Sequence, residues 1–185
     1  MYGRESLLRQ CSNTRDKSEN EDTTKSIIKD LEVKKGSVLI YEFRASHEGV
    51  VGCIFKFVDN STFYTFEIGG SSDMTKRFFR IRRQLKGAWT TIKQINTNAE
   101  ISFLPFFGYE VNTWYSVEVI TEQTTMIVSI ALMGLTQRMK IMTVNDDKIA
   151  RGGVGFSTSG TEAVFGEITL RPPPIEYSKY IFLIP

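Results

Sequence analysis

The sequence predicts an all-β chain folded as an antiparallel two-sheet jelly-roll β-sandwich, and three observations predict it. Gly49 to Gly70 (GVVGCIFKFVDNSTFYTFEIGG) reads as two strands around a tight polar turn. Along the rest of the chain, roughly ten short segments are separated by turn signals at even spacing, the pattern of a two-sheet or closed antiparallel fold. No stretch carries the 3.6-residue apolar repeat of a long amphipathic helix.

The hairpin is the clearest element. Its first strand places Cys53, Phe55 and Phe57 on one face and Ile54, Lys56 and Val58 on the other. In the second, Tyr64, Phe66 and Ile68 alternate with Phe63, Thr65 and Glu67. Alternation at period two among aromatic and β-branched residues suits a pleated strand. Asp59 and Asn60 fit the turn because their short side chains bond nearby backbone and tolerate left-handed dihedrals.

The other elements follow in chain order. Residues 1–26 form a polar leader, in which 12–26 lack any aromatic or aliphatic side chain to offset the entropy of ordering. Residues 26–31 read as a short strand or a helical turn. Ser37–Arg44 (SVLIYEFR) is a strand, and Ser71–Met74 a polar loop. Arg77–Leu85 and Ala88–Lys93 are strands joined at Lys86-Gly87, a pair suited to a tight hairpin turn. Ile101–Phe107 contains Pro105 and reads as an edge strand or packed loop. Trp114–Thr121, Thr124–Leu132 and Arg138–Thr143 are strands, and Asn145–Lys148 reads as one helical turn. Val154–Ser159 and Ala163–Arg171 close the sandwich, which spans 27–171. Pro172-Pro173-Pro174 ends it, since proline cannot donate to a ladder, and 172–185 form a tail.

The totals bound the function. A chain of 185 residues with net charge +2 holds one ordinary domain and has no overall field for nucleic acid. No apolar run reaches the roughly 18 residues of a membrane span. The N-terminal residues lack a signal-peptide apolar segment, so the chain is either intracellular or a domain of a longer secreted protein with flanking domains. Cys11 and Cys53 are two free thiols or one disulfide, the latter requiring an oxidising compartment. Asn60-Ser61-Thr62 is a glycosylation sequon that matters only in a secreted chain.

Three blocks resemble the concanavalin A-like superfamily, in its laminin-G-like and thrombospondin C-terminal lectin-like branch. The first runs from Gly49 and Gly52 through Phe55-Lys56-Phe57-Val58-Asp59-Asn60 to Phe63-Tyr64. The second is Trp114-Tyr115 opening SVEVI, and the third runs from Asp146 through Arg151-Gly152-Gly153-Val154-Gly155-Phe156 to Ala163-Val164-Phe165. Together they cover about 37–171. The chain departs from the family pattern after Phe165, where Gly166-Glu167 stands in place of Asp or Asn. The resemblance implies a lectin-like recognition or adhesion module and, as in lectin-like relatives, calcium held at loop ends.

Enzymatic chemistry finds little support. A glycosidase needs two carboxylates roughly 5–10 Å apart, and no E-x-D-x-x-E run is present. His47 is the one histidine and stands outside any nucleophile motif. Zinc would need clustered Cys and His. Calcium takes oxygen ligands from loops, and Asp59, Asn60, Asp73, Asp146 and Asp147 all fall in predicted turns.

The strongest charge feature is Lys76–Lys86 (KRFFRIRRQLK), with six basic residues and no acid. As a strand it places Arg80 and Arg82 with Phe78, and Arg77 and Arg83 with Phe79 and Ile81. Lys76, Arg77, Arg80, Arg82, Arg83 and Lys86 are thus candidates for binding sulfated glycan or acidic protein through charge-assisted forks. Trp89, Phe106, Phe107 and Tyr109 lie near loops and are candidates for stacking on sugar. The expected function is non-catalytic carbohydrate recognition, with a protein-interaction module as the alternative.

Overall fold

The computed structural model describes residues 8–10, 23–96, 107–135 and 137–172. These contain twelve strands: β1 (Leu8–Gln10), β2 (Thr23–Val33), β3 (Val38–Ala45), β4 (Gly49–Asp59), β5 (Thr62–Gly70), β6 (Phe78–Leu85), β7 (Ala88–Asn96), β8 (Tyr115–Thr121), β9 (Thr125–Leu132), β10 (Met139–Asn145), β11 (Gly152–Ser159) and β12 (Ala163–Arg171). They form two six-stranded sheets, ordered β1-β12-β3-β8-β9-β10 and β2-β11-β4-β5-β6-β7. Every pairing is antiparallel. No helix among the described residues is long and apolar enough to cross a membrane.

The core lies where the inner faces meet. Leu39, Tyr41 and Phe43 of β3, with Tyr115, Val117 and Val119 of β8, pack against Cys53 and Phe55 of β4 and Tyr64, Phe66 and Ile68 of β5. Phe156 of the second sheet stacks on Phe165 of the first at 4.0 Å between ring centroids. Each of these side chains removes apolar surface from water at about 25 cal/mol per Å². Burial raises the phenols of Tyr41, Tyr64, Tyr109 and Tyr115, that of Tyr109 to about 12 from 10.0. A phenol whose pKa is raised on folding stabilises the fold below the unfolded value, and that stability is lost as pH rises through the folded value. Chemical denaturation should therefore show stability level up to about pH 9.5 and falling from pH 10 to 12. A flat profile across that range would refute the burial of these phenols.

Several sequence expectations change. Lys56 adopts a left-handed conformation (φ 51) at a register shift between Phe55 and Asp59. The extra residue of this bulge turns the following side chain over, so Phe57 leaves the face of Cys53 and Phe55 and meets Phe63, 5.9 Å away. The segment read as a leader contributes β1, paired to β12, and the first residues of β2, paired to β11. β2 docks closely there: a side chain at Gly155 would strike the Ser26 carbonyl and sit 2.6 Å from Ile27 Cδ1. Residues 145–148 are not a helical turn, because the Asp146 carboxylate accepts from Lys148 N at 3.1 Å as a local side-chain turn. The one helical turn among the described residues is 3₁₀, Met74–Lys76, capped by Asp73. Cys53 is a free, buried thiol whose pKa is pushed up by desolvation; Cys11, Phe106 and most of the 101–107 segment lie outside the described residues.

Candidate functional site

The outward face of the second sheet carries the densest set of polar and aromatic side chains. Strand pairing sets Glu67 opposite Arg80, Thr65 opposite Arg82, Phe63 opposite Gln84, and Gln84 opposite Trp89. Alternation along β5 and β6 sends Glu67, Arg80 and Arg82 outward while Phe66, Phe79 and Ile81 enter the core. Lys86 (φ 51) and Gly87 (φ 86) make the tight turn that brings Trp89 back beside Phe63.

Glu67 is clamped. Arg80 places Nε and Nη2 at 2.7 and 2.5 Å from Oε2, and Arg82 places Nε and Nη2 at 2.9 and 2.6 Å from Oε1. An ionised carboxylate offers about four lone-pair positions; here three arginine N–H groups donate to it and Arg80 Nη2 adds an ion-pair contact. Glu67 is 4% exposed, whereas the guanidinium side chains are 22% and 20% exposed. The carboxylate is thus spent on orientation, and the remaining N–H groups of the arginines face outward.

Aromatic rings and a further cation flank the clamp. The Arg82 guanidinium lies 4.2 Å from the Trp89 ring centroid, and Arg80 lies 4.7 Å from that of Phe78. Phe63 meets Trp89 edge to face at 5.4 Å. Lys25 Nζ sits 4.9 Å from the Phe63 ring and 6.0 Å from that of Trp89. Lys25 belongs to β2 and Trp89 to β7, the opposite edges of the sheet. On a flat sheet these strands would stand about 24 Å apart, so the sheet curls around its outward face and makes a trough. Ile54, Phe63 and Thr65 are buried on this face although they point away from the core. Bare backbone at Gly52 deepens the floor: a Cβ there would collide with the Ser157 hydroxyl and lie 3.2 Å from Thr65 Oγ1.

The predicted site residues divide. Arg80, Arg82 and Trp89 come together in the trough. Arg83 points inward and pairs with Asp146, which also accepts from Tyr64 Oη at 2.5 Å. Arg77 is buried and donates from Nε to the Ser71 carbonyl at 2.6 Å and from Nη1 to the Phe107 carbonyl at 3.2 Å. Lys76 and Lys86 are exposed beyond either end of β6. The six cations therefore do not form one strip. Phe107 and Tyr109, read as sugar-stacking candidates, are core residues at 5% and 1% exposure. Tyr109 covers the bare Gly70 and donates to the His47 carbonyl at 2.9 Å, a role that loop position alone could not reveal. Sequence reasoning also missed Lys25, Phe63 and the part played by Glu67, whose place beside two arginines comes from the pairing of β5 with β6.

The acidic loop residues do not fit calcium. Asp59 Oδ1 accepts from Ser61 N and Oγ, both at 2.7 Å. Asp73 Oδ1 accepts from Thr75 N at 3.0 Å and Oγ1 at 2.7 Å. These hydrogen bonds lower both carboxyl pKa values. Asp146 is held by Tyr64 and Arg83, while Asn60 and Asp147 are exposed and stand apart. Among the described residues no three His, Cys, Asp or Glu side chains gather as a metal site would require.

No protein family matches the chain in sequence, and no curated protein does either. Solved structures do resemble it. Carbohydrate-binding module CBM66 from Bacillus subtilis superposes with a TM-score of 0.63 at 12% identity, over 80% of this chain and 81% of that one. A toad ovary galectin in complex with thio-digalactose gives 0.54 at 12% identity, over 80% and 98%. A xylan β-1,4-xylosidase from Bacillus halodurans gives 0.51 at 10% identity, over 89% of this chain but 32% of the enzyme. At such identities the likeness is one of architecture: the chain is an antiparallel two-sheet β-sandwich, as those structures are.

Proposed function

We propose that this chain is a non-catalytic carbohydrate-recognition module whose site is the outward trough of the β2-β11-β4-β5-β6-β7 sheet. The observation that carries the reading is the Arg80–Glu67–Arg82 clamp beside Trp89. A saccharide presents paired oxygens and an apolar C–H face. Planar guanidinium forks, fixed by one carboxylate, suit the first, and an indole suits the second. The fold is shared with a protein titled as a carbohydrate-binding module and with a galectin bound to a sugar derivative, which supports the reading. Glu67 is the sole acid of β5, β6 and β7 and is engaged by its arginines, so these three strands offer no free carboxylate pair of the kind glycoside hydrolysis needs. Placement in the laminin-G or thrombospondin branch rests on the motif blocks, and a secreted, multidomain setting on that placement.

The test is a glycan array with the native chain and with Trp89→Ala, whose loss of stacking should weaken any bound glycan at least tenfold. Arrays should be run with calcium and with chelator, and we expect no difference between them. A blank array for a folded protein would overturn the reading and favour a polypeptide ligand.

A further inference from the structure

We propose, building on that reading, that the saccharide is acidic, with its carboxylate or sulfate group seated between Lys25 and Arg82 at the Trp89 end of the trough. Hydrogen-bond bookkeeping carries this. Glu67 accepts three arginine N–H groups and is in ion-pair contact with a fourth nitrogen, Arg80 Nη2. Two other acceptors nearby, Thr65 Oγ1 and Gln84 Oε1, are buried without a partner among the described residues, so they offer nothing to a ligand arriving from solvent. The exposed acceptors on these strands are neutral, the Thr91 hydroxyl opposite Arg82 and the Gln94 amide opposite Arg80, while the charged groups beside Glu67 are donors. Each arginine has five N–H groups; Arg80 commits one and Arg82 two to Glu67, and Lys25 adds an ammonium.

Charge points the same way. Lys25, Arg80 and Arg82 set three positive charges against the single charge of Glu67. No carboxylate pairs with Lys25 among the described residues; its ammonium faces the rings of Phe63 and Trp89 instead. Arg82 faces the same indole. Two cations gathered at one aromatic pair, in a trough formed by curling the sheet, repel each other unless an anion lies between them. A neutral sugar would leave the net positive charge of the site uncompensated. An acidic sugar supplies acceptor oxygens and the missing charge together, and charge-assisted hydrogen bonds are about twice as strong as neutral ones.

The experiment is a binding titration against matched saccharides that differ only in the acidic group: a neutral hexose unit, its uronic acid and its sulfate ester. Acidic forms should bind at least tenfold tighter than the neutral one. Raising salt from 50 to 500 mM should narrow that gap, and the uronate and sulfate arms identify which anion is preferred. Lys25→Gln should cut the acidic preference about tenfold, and Lys25→Arg should restore it. Equal or tighter binding of the neutral form would overturn this inference and leave carbohydrate recognition standing. Binding of none of the three, nor of any array glycan, would overturn the functional reading itself.

Discussion

Replacing Glu67 with alanine should destabilise the fold by about 2–3 kcal/mol, read as a lower urea midpoint at unchanged slope. Glu67 is 4% exposed, accepts three arginine N–H groups and is in ion-pair contact with Arg80 Nη2, so its removal leaves two guanidinium groups side by side with no counter-charge. Breaking a wholly buried pair costs about 3–5 kcal/mol; the arginines here are about one-fifth exposed, and water recovers part of that. Glu67→Gln keeps the shape and one acceptor, and should cost roughly half as much. A Glu67→Ala protein within 0.5 kcal/mol of the native chain would mean that the clamp contributes nothing to the fold.

Asp146→Ala should cost a similar amount, about 2–4 kcal/mol, for a different reason. Asp146 follows β10 at the edge of the first sheet, yet its carboxylate pairs with Arg83 of β6 and accepts from Tyr64 Oη of β5. It also accepts from Lys148 N at 3.1 Å. One side chain therefore ties the edge of one sheet to the interior of the other. Both partners of the ion pair are largely buried, at 15% and 11% side-chain exposure. Removing the carboxylate strands a buried guanidinium and a buried phenol. In a double-mutant cycle with Arg83→Ala the two losses should be strongly non-additive. Simple additivity would show that the ion pair is incidental. Saccharide binding should survive in folded Asp146→Ala protein, because the pair lies on the inner side of β6 and the trough on the outer.

How much of this was legible beforehand follows from what strand periodicity can and cannot carry. The β4–β5 hairpin, the turn at Lys86-Gly87 and the division of Arg80 and Arg82 from Arg83 all follow from alternation along a single strand. The bulge at Lys56 does not, because one inserted residue leaves composition and local pattern unchanged while reversing every side chain after it. Phe57 was misplaced for that reason. The partner of the two arginines was also hidden. Glu67 reaches them through cross-strand register between β5 and β6, and register is a property of pairs of strands.

The trough was the least legible feature. On an ordinary antiparallel sheet the outward face is polar and exposed, whereas here Ile54, Phe63 and Thr65 are buried on it. Their apolar character looked like core on both sides of the hairpin. On that same face the curl brings Lys25 of β2 to the rings of Phe63 and Trp89. Lys25 and Trp89 are 64 positions apart in the sequence, and nothing in the neighbourhood of either announces the other. Phe107 and Tyr109 show the opposite error: their loop position suggested exposure, but the loop folds over Gly70 and carries both rings into the core.

The central claim is that the curled outward face of the second sheet takes up saccharide, and tryptophan fluorescence tests it directly. The chain has two tryptophans. Trp89 lies in the trough, and Trp114 lies at the other sheet against Arg44, 5.4 Å away. A saccharide bound on the array should be titrated into Trp114→Phe, which reports on Trp89 alone, and into Trp89→Phe, which reports on Trp114 alone. The account predicts a saturable change in the first protein and none in the second. A saturable change confined to Trp114 would contradict it, because the sugar would then occupy the opposite face of the sandwich.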